Sequence, residues 1–275
     1  MPRIVSRTRS TLNSAPASSK SAHHATDVLI VCGALGSGKT RFIEQLFSMS
    51  ASMMSSTSSI ERWALVVTEL GTCRFYEVGS RDAAYYRLEA SDRELFATVV
   101  GGGCVCCSLE SSPAVVVLAR TLRMLQPMKL MVIEVGLVTE VGRLMERVRK
   151  LGGAAVGEIA AVMLAKEEVL ASLVEKSSNH GGTTEKNDEM DEMETDVMKM
   201  VGEHARGSRV AILWERAEKE DDARDEEVAT STATRVMCQV KEMCRAAGTM
   251  MLAGDDWEKE MNSSSLKVLF SSEEP

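Results

Sequence analysis

The chain has 275 residues, enough for one large or two small domains, and 44% hydrophobic content, enough for a full core. A formal charge of −8 argues against a nucleic-acid-binding surface, and no apolar run approaches the length of a membrane span. Seven cysteines are an odd count, and three of them crowd into four positions, which points to an intracellular metal or redox site rather than a disulfide framework.

Residues 1–26 carry Arg3, Arg7, Arg9, Lys20 and six serines, with no acidic residue. That composition fits an organelle transit peptide and an ordinary disordered tail equally well. The expected location is cytoplasmic, with mitochondrial as the alternative. Folded sequence is expected from about Asp27. Asp27–Cys32, apolar from Val28 on, reads as a buried strand. Gly33-Ala34-Leu35-Gly36-Ser37-Gly38-Lys39-Thr40 then fits G-x-x-x-x-G-K-[ST], the loop that cradles nucleotide phosphates. Its glycines let backbone N–H groups converge on an anion, and the following helix, expected over Arg41–Phe47, adds partial positive charge at its N-terminus. The candidate nucleotide-binding residues are Gly33, Gly36, Ser37, Gly38, Lys39 and Thr40. Lys39 would reach the outer phosphates, and the Thr40 hydroxyl would ligate Mg²⁺.

A second buried strand is expected at Trp63–Val67. Gly101-Gly102-Gly103-Cys104-Val105-Cys106-Cys107-Ser108 follows, with three thiols after a run of glycines that permits a sharp bend. Thiolates favour Zn²⁺ or Cu(I) over harder ions, and three ligands leave a tetrahedral ion one open position. Buried structural cysteines or a redox pair are the other readings. A helix across Ala114–Leu125 leads to a third strand at Leu130–Ile133. After a helix at Val138–Leu151, further strands are expected at Ile159–Leu164 and Arg209–Leu213, with helices at Glu167–Glu175 and Ser231–Ala247. Apolar strands alternating with amphipathic helices imply an α/β fold, a doubly wound and mostly parallel sheet with helices on both faces.

Lys176–Glu189 reads as a solvated loop within a polar insertion at about 176–200, and Glu218–Glu227 as a solvated charge cluster. Met190, Met193, Val197 and Met200 recur at helical spacing, which favours core packing over a methionine metal site. Four histidines stand at His23, His24, His180 and His204, and the last two read as surface residues. The domain expected is 27–252, with a short segment at 253–275.

In order, these motifs resemble the CobW-like metallochaperone GTPases (the CobW/HypB/UreG nucleotide-binding domain). Thr68-Glu69-Leu70-Gly71 stands where that family has a segment like NEFG. Gly103-Cys104-Val105-Cys106-Cys107 matches its GCxCC. Ile133-Glu134-Val135-Gly136 is similar to its ETSG strand end, one residue short. The resemblance implies a P-loop nucleoside triphosphatase that binds GTP or another triphosphate with Mg²⁺. It implies Zn²⁺ or a related ion at Cys104, Cys106 and Cys107, joined by Glu69, with Glu134 orienting Mg²⁺. Nucleotide state would then gate delivery to a client metalloprotein. Slow hydrolysis is expected, because no catalytic base or arginine finger can be assigned.

The chain also departs from that family. Its guanine-reading NKxD segment is replaced by Trp214-Glu215-Arg216-Ala217, so guanine selectivity has no visible basis and Trp214 is left either to stack on a base or simply to pack. Placing that motif at Ala165-Lys166-Glu167-Glu168 keeps only the lysine. The alternative function is a divergent nucleotide- and metal-binding protein that hydrolyses nothing.

Overall fold

Val28, Leu29, Ile30, Val31 and Cys32 are each fully buried. A strand apolar on both faces must lie inside a sheet that is covered on both sides. The structure is a computed structural model and describes residues 3–4, 25–48, 61–68, 86–90, 93–99, 105–106, 113–124, 128–179, 188–214 and 227–254. Its first half runs β1 (Arg3–Ile4), β2 (Thr26–Gly33), α1 (Lys39–Ser48), β3 (Glu61–Val67), β4 (Tyr86–Ala90), β5 (Arg93–Val99), α2 (Pro113–Met124) and β6 (Leu130–Val135). The second half runs α3 (Val141–Gly152), a 3-10 turn (Gly153–Ala155), β7 (Val156–Lys166), α4 (Glu167–Asn179), α5 (Asp188–Gly207), β8 (Val210–Trp214), α6 (Glu227–Ala246) and β9 (Met250–Ala253).

The strands form one sheet in the order β1-β4-β5-β3-β6-β2-β7-β8-β9. Every pair from β5 across to β9 is parallel. β4 and β1 extend the β5 edge in antiparallel fashion. The chain leaves β2 toward β3 on one side, yet places β7 on the other. That reversal of strand order opens a crevice at the carboxyl end of β2, the place where open α/β sheets bind ligands. The doubly wound, mostly parallel sheet expected from the sequence is the one found.

Alternation along β2 divides the core. Val28, Ile30 and Cys32 join a cluster with Leu118 of α2, Leu144 of α3, Val174 of α4, Val201 of α5 and Val240 of α6. Leu29 and Val31 face the other way, onto Phe42, Ile43, Leu46 and Phe47 of α1. Among the described residues, α1 alone supplies helix to that second face. It therefore fixes the turn from β2 into α1, and with it the glycine-rich loop.

Four strands escape the sequence reading. β4 carries Arg87 and Glu89 in five residues, β5 carries Arg93, Glu94 and Thr98, and β1 and β9 are only two and four residues long. Charged residues interrupt β4 and β5, and β1 and β9 are too short to mark a strand; their partners in the sheet recruit them. The segment expected as a loop from Lys176 is instead helical to Asn179, and α5 begins at Asp188, with 180–187 outside the described residues. Leu170, Ala171 and Val174 anchor α4 in the core, so its polar last turn continues the helix. Along the described part of α5, Met198, Val201, Gly202, His204 and Ala205 are buried, Val197 and Met200 are partly exposed, and the side chains of Met190 and Met193 lie outside the described residues. The charge cluster falls largely in 215–226, outside the described residues.

Because Leu29 is wholly enclosed between β2 and α1, Leu29→Ala is expected to lower the unfolding free energy by about 2–5 kcal/mol. Urea melts of wild type and variant measure it, and a loss within error of zero would contradict this packing.

Candidate nucleotide-binding site

The loop after β2 turns through three glycines with positive φ, Gly33 at 149°, Gly36 at 87° and Gly38 at 89°. An L side chain is strained at each of them. At Gly33 a Cβ would also lie 2.8 Å from Ser37 Oγ and collide with the carbonyl oxygen of Leu164. The turn is closed by Ser37 N–H donating to Ala34 O at 3.2 Å, and the helix begins with Phe42 N–H donating to Gly38 O at 2.9 Å. Lys39 is buried, and its Nζ donates to the carbonyls of Gly33 and Ala34 at 2.9 and 2.8 Å. Ser37 Oγ is buried without a hydrogen-bond partner. An orphaned hydroxyl costs free energy unless a ligand meets it. The positive-φ glycines, the helix N-terminus, the buried ammonium and this hydroxyl together suit a phosphate group.

Two other strand ends converge here. The Thr40 hydroxyl donates to Glu134 Oε1 at 3.4 Å, so the expected Mg²⁺ hydroxyl and the expected carboxylate are adjacent. Glu134 is itself buried. Its main-chain oxygen accepts from Thr68 N–H at 3.2 Å and from Thr68 Oγ1 at 2.8 Å. The end of β3 is thereby latched to the end of β6, immediately before Glu69. Glu69, Cys104 and Cys107 lie outside the described residues. Among the described residues no group of three or more His, Cys, Asp or Glu side chains is placed to hold a metal ion.

Cys106 is described and buried. Its Sγ accepts the Glu140 N–H at 3.4 Å, and Arg147 donates to the carbonyl of neighbouring Val105 at 3.4 Å. Val105 and Cys106 therefore sit against α3 and the loop that links Glu134 to it. The Glu140 carboxylate pairs with Arg143 at 2.7 Å rather than capping the helix.

His204 corrects an expectation. Expected at the surface, it is 1% exposed, because α5 packs its ring against that same 136–140 loop. Its Nε2 donates to Thr139 O at 2.9 Å, which leaves Nδ1 buried without a hydrogen-bond partner. Burial lowers its pKa from the ordinary 6.5, against the opposing pull of the Thr139 and Leu137 carbonyls. Burial also pushes the Cys32 thiol up to about 12, so this cysteine beside the loop is a neutral core residue and not a thiolate. Sequence reasoning missed Glu140, Arg147 and His204, and gave Thr68 no role of its own. Only the spacing of His204 from Val201 and Ala205 on one helical face carried a signal.

Strand, glycine loop, buried lysine and helix at the switch point of a parallel sheet define a P-loop nucleotide-binding domain. The chain belongs to the family described as CobW/HypB/UreG, nucleotide-binding domain, which it matches over residues 27–181, more than half its length. Among solved structures it is similar to a zinc-bound triple mutant of the YjiA GTPase, at 14% identity and a TM-score of 0.42, covering 84% of this chain and 57% of that one. It is similar to zinc-bound YjiA GTPase from E. coli at 14% and 0.39, covering 79% and 54%. It is also similar to the hydrogenase maturation factor HypB from Archaeoglobus fulgidus at 15% and 0.43, covering 90% and 91%. The chain thus spans little over half the length of the YjiA chains. No curated protein sequence matches it. Among the described residues, no helix is long and apolar enough to cross a membrane.

The buried histidine makes a pH prediction. With its folded pKa below 6.5, the unfolded chain binds the proton first as pH falls. Stability from this group is full above that value and is lost as pH drops toward the folded pKa. Thermal melts between about pH 5.5 and 7.5 should show a shallower decline for His204→Gln than for wild type. Equal slopes would remove His204 from the account.

Proposed function

We propose that this domain binds a nucleoside triphosphate with Mg²⁺ at Gly33, Gly36, Ser37, Gly38, Lys39 and Thr40. We propose further that nucleotide state controls its handling of a thiophilic cation, zinc foremost, at Cys104, Cys106 and Cys107 with Glu69. The cation is cargo for a client metalloprotein. The observation that carries this reading is the convergence on Glu134. Its carboxylate meets the Thr40 hydroxyl, and its carbonyl holds Thr68 beside Glu69. The loop that follows it carries the Cys106 Sγ on the Glu140 amide. Glu134 therefore touches the start of α1 and the segment that leads to Glu69, and the loop that follows it touches Cys106.

The mechanism follows from these groups. Lys39 must exchange its two carbonyl acceptors for phosphate oxygens, a trade of neutral acceptors for charged ones that favours the bound state. Glycine N–H groups and the start of α1 supply the remaining positive field. Mg²⁺, when present, would screen the polyphosphate charge, with Thr40 and Glu134 as its neighbours on the protein. Displacing Glu134 from Thr40 would be felt through Thr68 at the root of the Glu69 loop, an order of events common in nucleotide switches.

A non-hydrolysing variant of the same activity is the second reading. It is favoured by the shortened strand end Glu134-Val135-Gly136 and by the loss of asparagine, lysine and aspartate after β8.

Lys39→Ala is expected to weaken triphosphate binding about 10–100-fold, since charged hydrogen bonds are lost. Zinc affinity measured with and without nucleotide should differ by about 5–150-fold, and nucleotide affinity with and without zinc should change by the same factor. Unchanged zinc affinity rejects the switch. Phosphate release above that of the Lys39→Ala control identifies a hydrolase, and its absence selects the second reading.

A further inference from the structure

The carboxyl end of β8 brings Trp214 to the phosphate loop. A methyl group built on Gly38 would lie 3.7 Å from Cη2, 3.9 Å from Cζ3 and 4.0 Å from Cζ2 of the indole. The six-membered edge of the ring is thus in van der Waals range of the loop. The opposite, pyrrole end is seated on Gly254, where a Cβ would fall on Cγ and Cδ1. Gly254 is held there by its N–H donating to Leu213 O at 2.7 Å. Two glycines without side chains therefore make room for one indole, and the ring stays partly exposed, packed against the α1-side core. Across the sheet Lys166 is level with Trp214, and its ammonium is paired with Glu168 at 3.1 Å.

We propose that Trp214 is the nucleobase platform of this site, and that the base is held by stacking rather than by polar discrimination. This rests on the nucleotide reading above. Phosphates bound between Gly33 and Thr40 leave their nucleoside beside the loop, where the indole is the large flat apolar surface contributed by β8. Every base presents a π-face, so stacking binds without choosing among bases, and its contribution on aromatic side chains is substantial. Aromatic selection by hydrogen bonds would instead need a buried polar group matched to one base edge. Lys166, the cation level with Trp214 on β7, is engaged by Glu168.

The test uses the full chain and three probes by calorimetry: MgATP, MgGTP and magnesium tripolyphosphate, which has phosphates and no base. Wild type should bind ATP and GTP within about tenfold of each other, as stacking tolerates either ring system. Trp214→Ala should weaken both nucleotides by about 5–150-fold while tripolyphosphate changes by less than about twofold. Trp214→Phe, which keeps a ring and guards against a folding defect, should stay within about fivefold of wild type for the nucleotides. If Trp214→Ala weakens tripolyphosphate as much as it weakens the nucleotides, the indole merely props the loop and the proposal is overturned. A wild-type preference of more than about 100-fold for one base overturns it too, since stacking cannot supply that, while leaving nucleotide binding intact. Wild type that binds none of the three overturns the nucleotide reading itself, and this proposal with it.

Discussion

Lys39 Nζ donates to Gly33 O and Ala34 O at 2.9 and 2.8 Å, and the loop around it depends on those two bonds. A buried ammonium must have acceptors, because leaving one without them costs several kcal/mol. The loop's own carbonyls meet that need. The same bonds are the ones a polyphosphate would replace. The surrounding structure makes the arrangement possible. β2 is enclosed on both faces, α1 is pinned by Phe42, Ile43 and Leu46, and Gly33 has no room for a Cβ beneath Leu164. The position of the lysine is set by the sheet and the core together.

Glu134 links that loop to the rest of the crevice. Through its carboxylate and its carbonyl it touches α1 and the end of β3. The chain beyond it, 136–140, is gripped from both sides. Cys106 and the Val105 carbonyl hold it through Glu140 and Arg147, and His204 holds it through Thr139. A loop with partners on the cysteine segment and on α5 cannot shift alone. The proposed coupling between nucleotide and cation would run through this loop, which has contacts toward both.

The glycine spacing and the apolar runs of β2, β3, β6, β7 and β8 were legible because each depends on local chemistry. Positive φ needs glycine, and a strand buried on both faces needs an unbroken apolar run. β4 and β5 were not legible, since charged residues break their runs and they are strands only because β3 pairs with one edge of β5 and β4 with the other. His204 was misread for a related reason. A single histidine carries no mark of burial; α5 and the 136–140 loop enclose it from opposite sides.

By itself the sequence determined the parallel α/β class, the phosphate loop and the residue types at its rim, because periodicity and glycine geometry act over a few residues. The tertiary structure alone decided which strand ends meet. It put Glu134 against Thr40 across 94 positions and Cys106 against Glu140 across 34, and it laid Trp214 on Gly38 beside Gly254. Those meetings arise from strand order and helix packing. Both are settled by burying two faces of one sheet at once, a condition on the whole chain that no short stretch of it expresses.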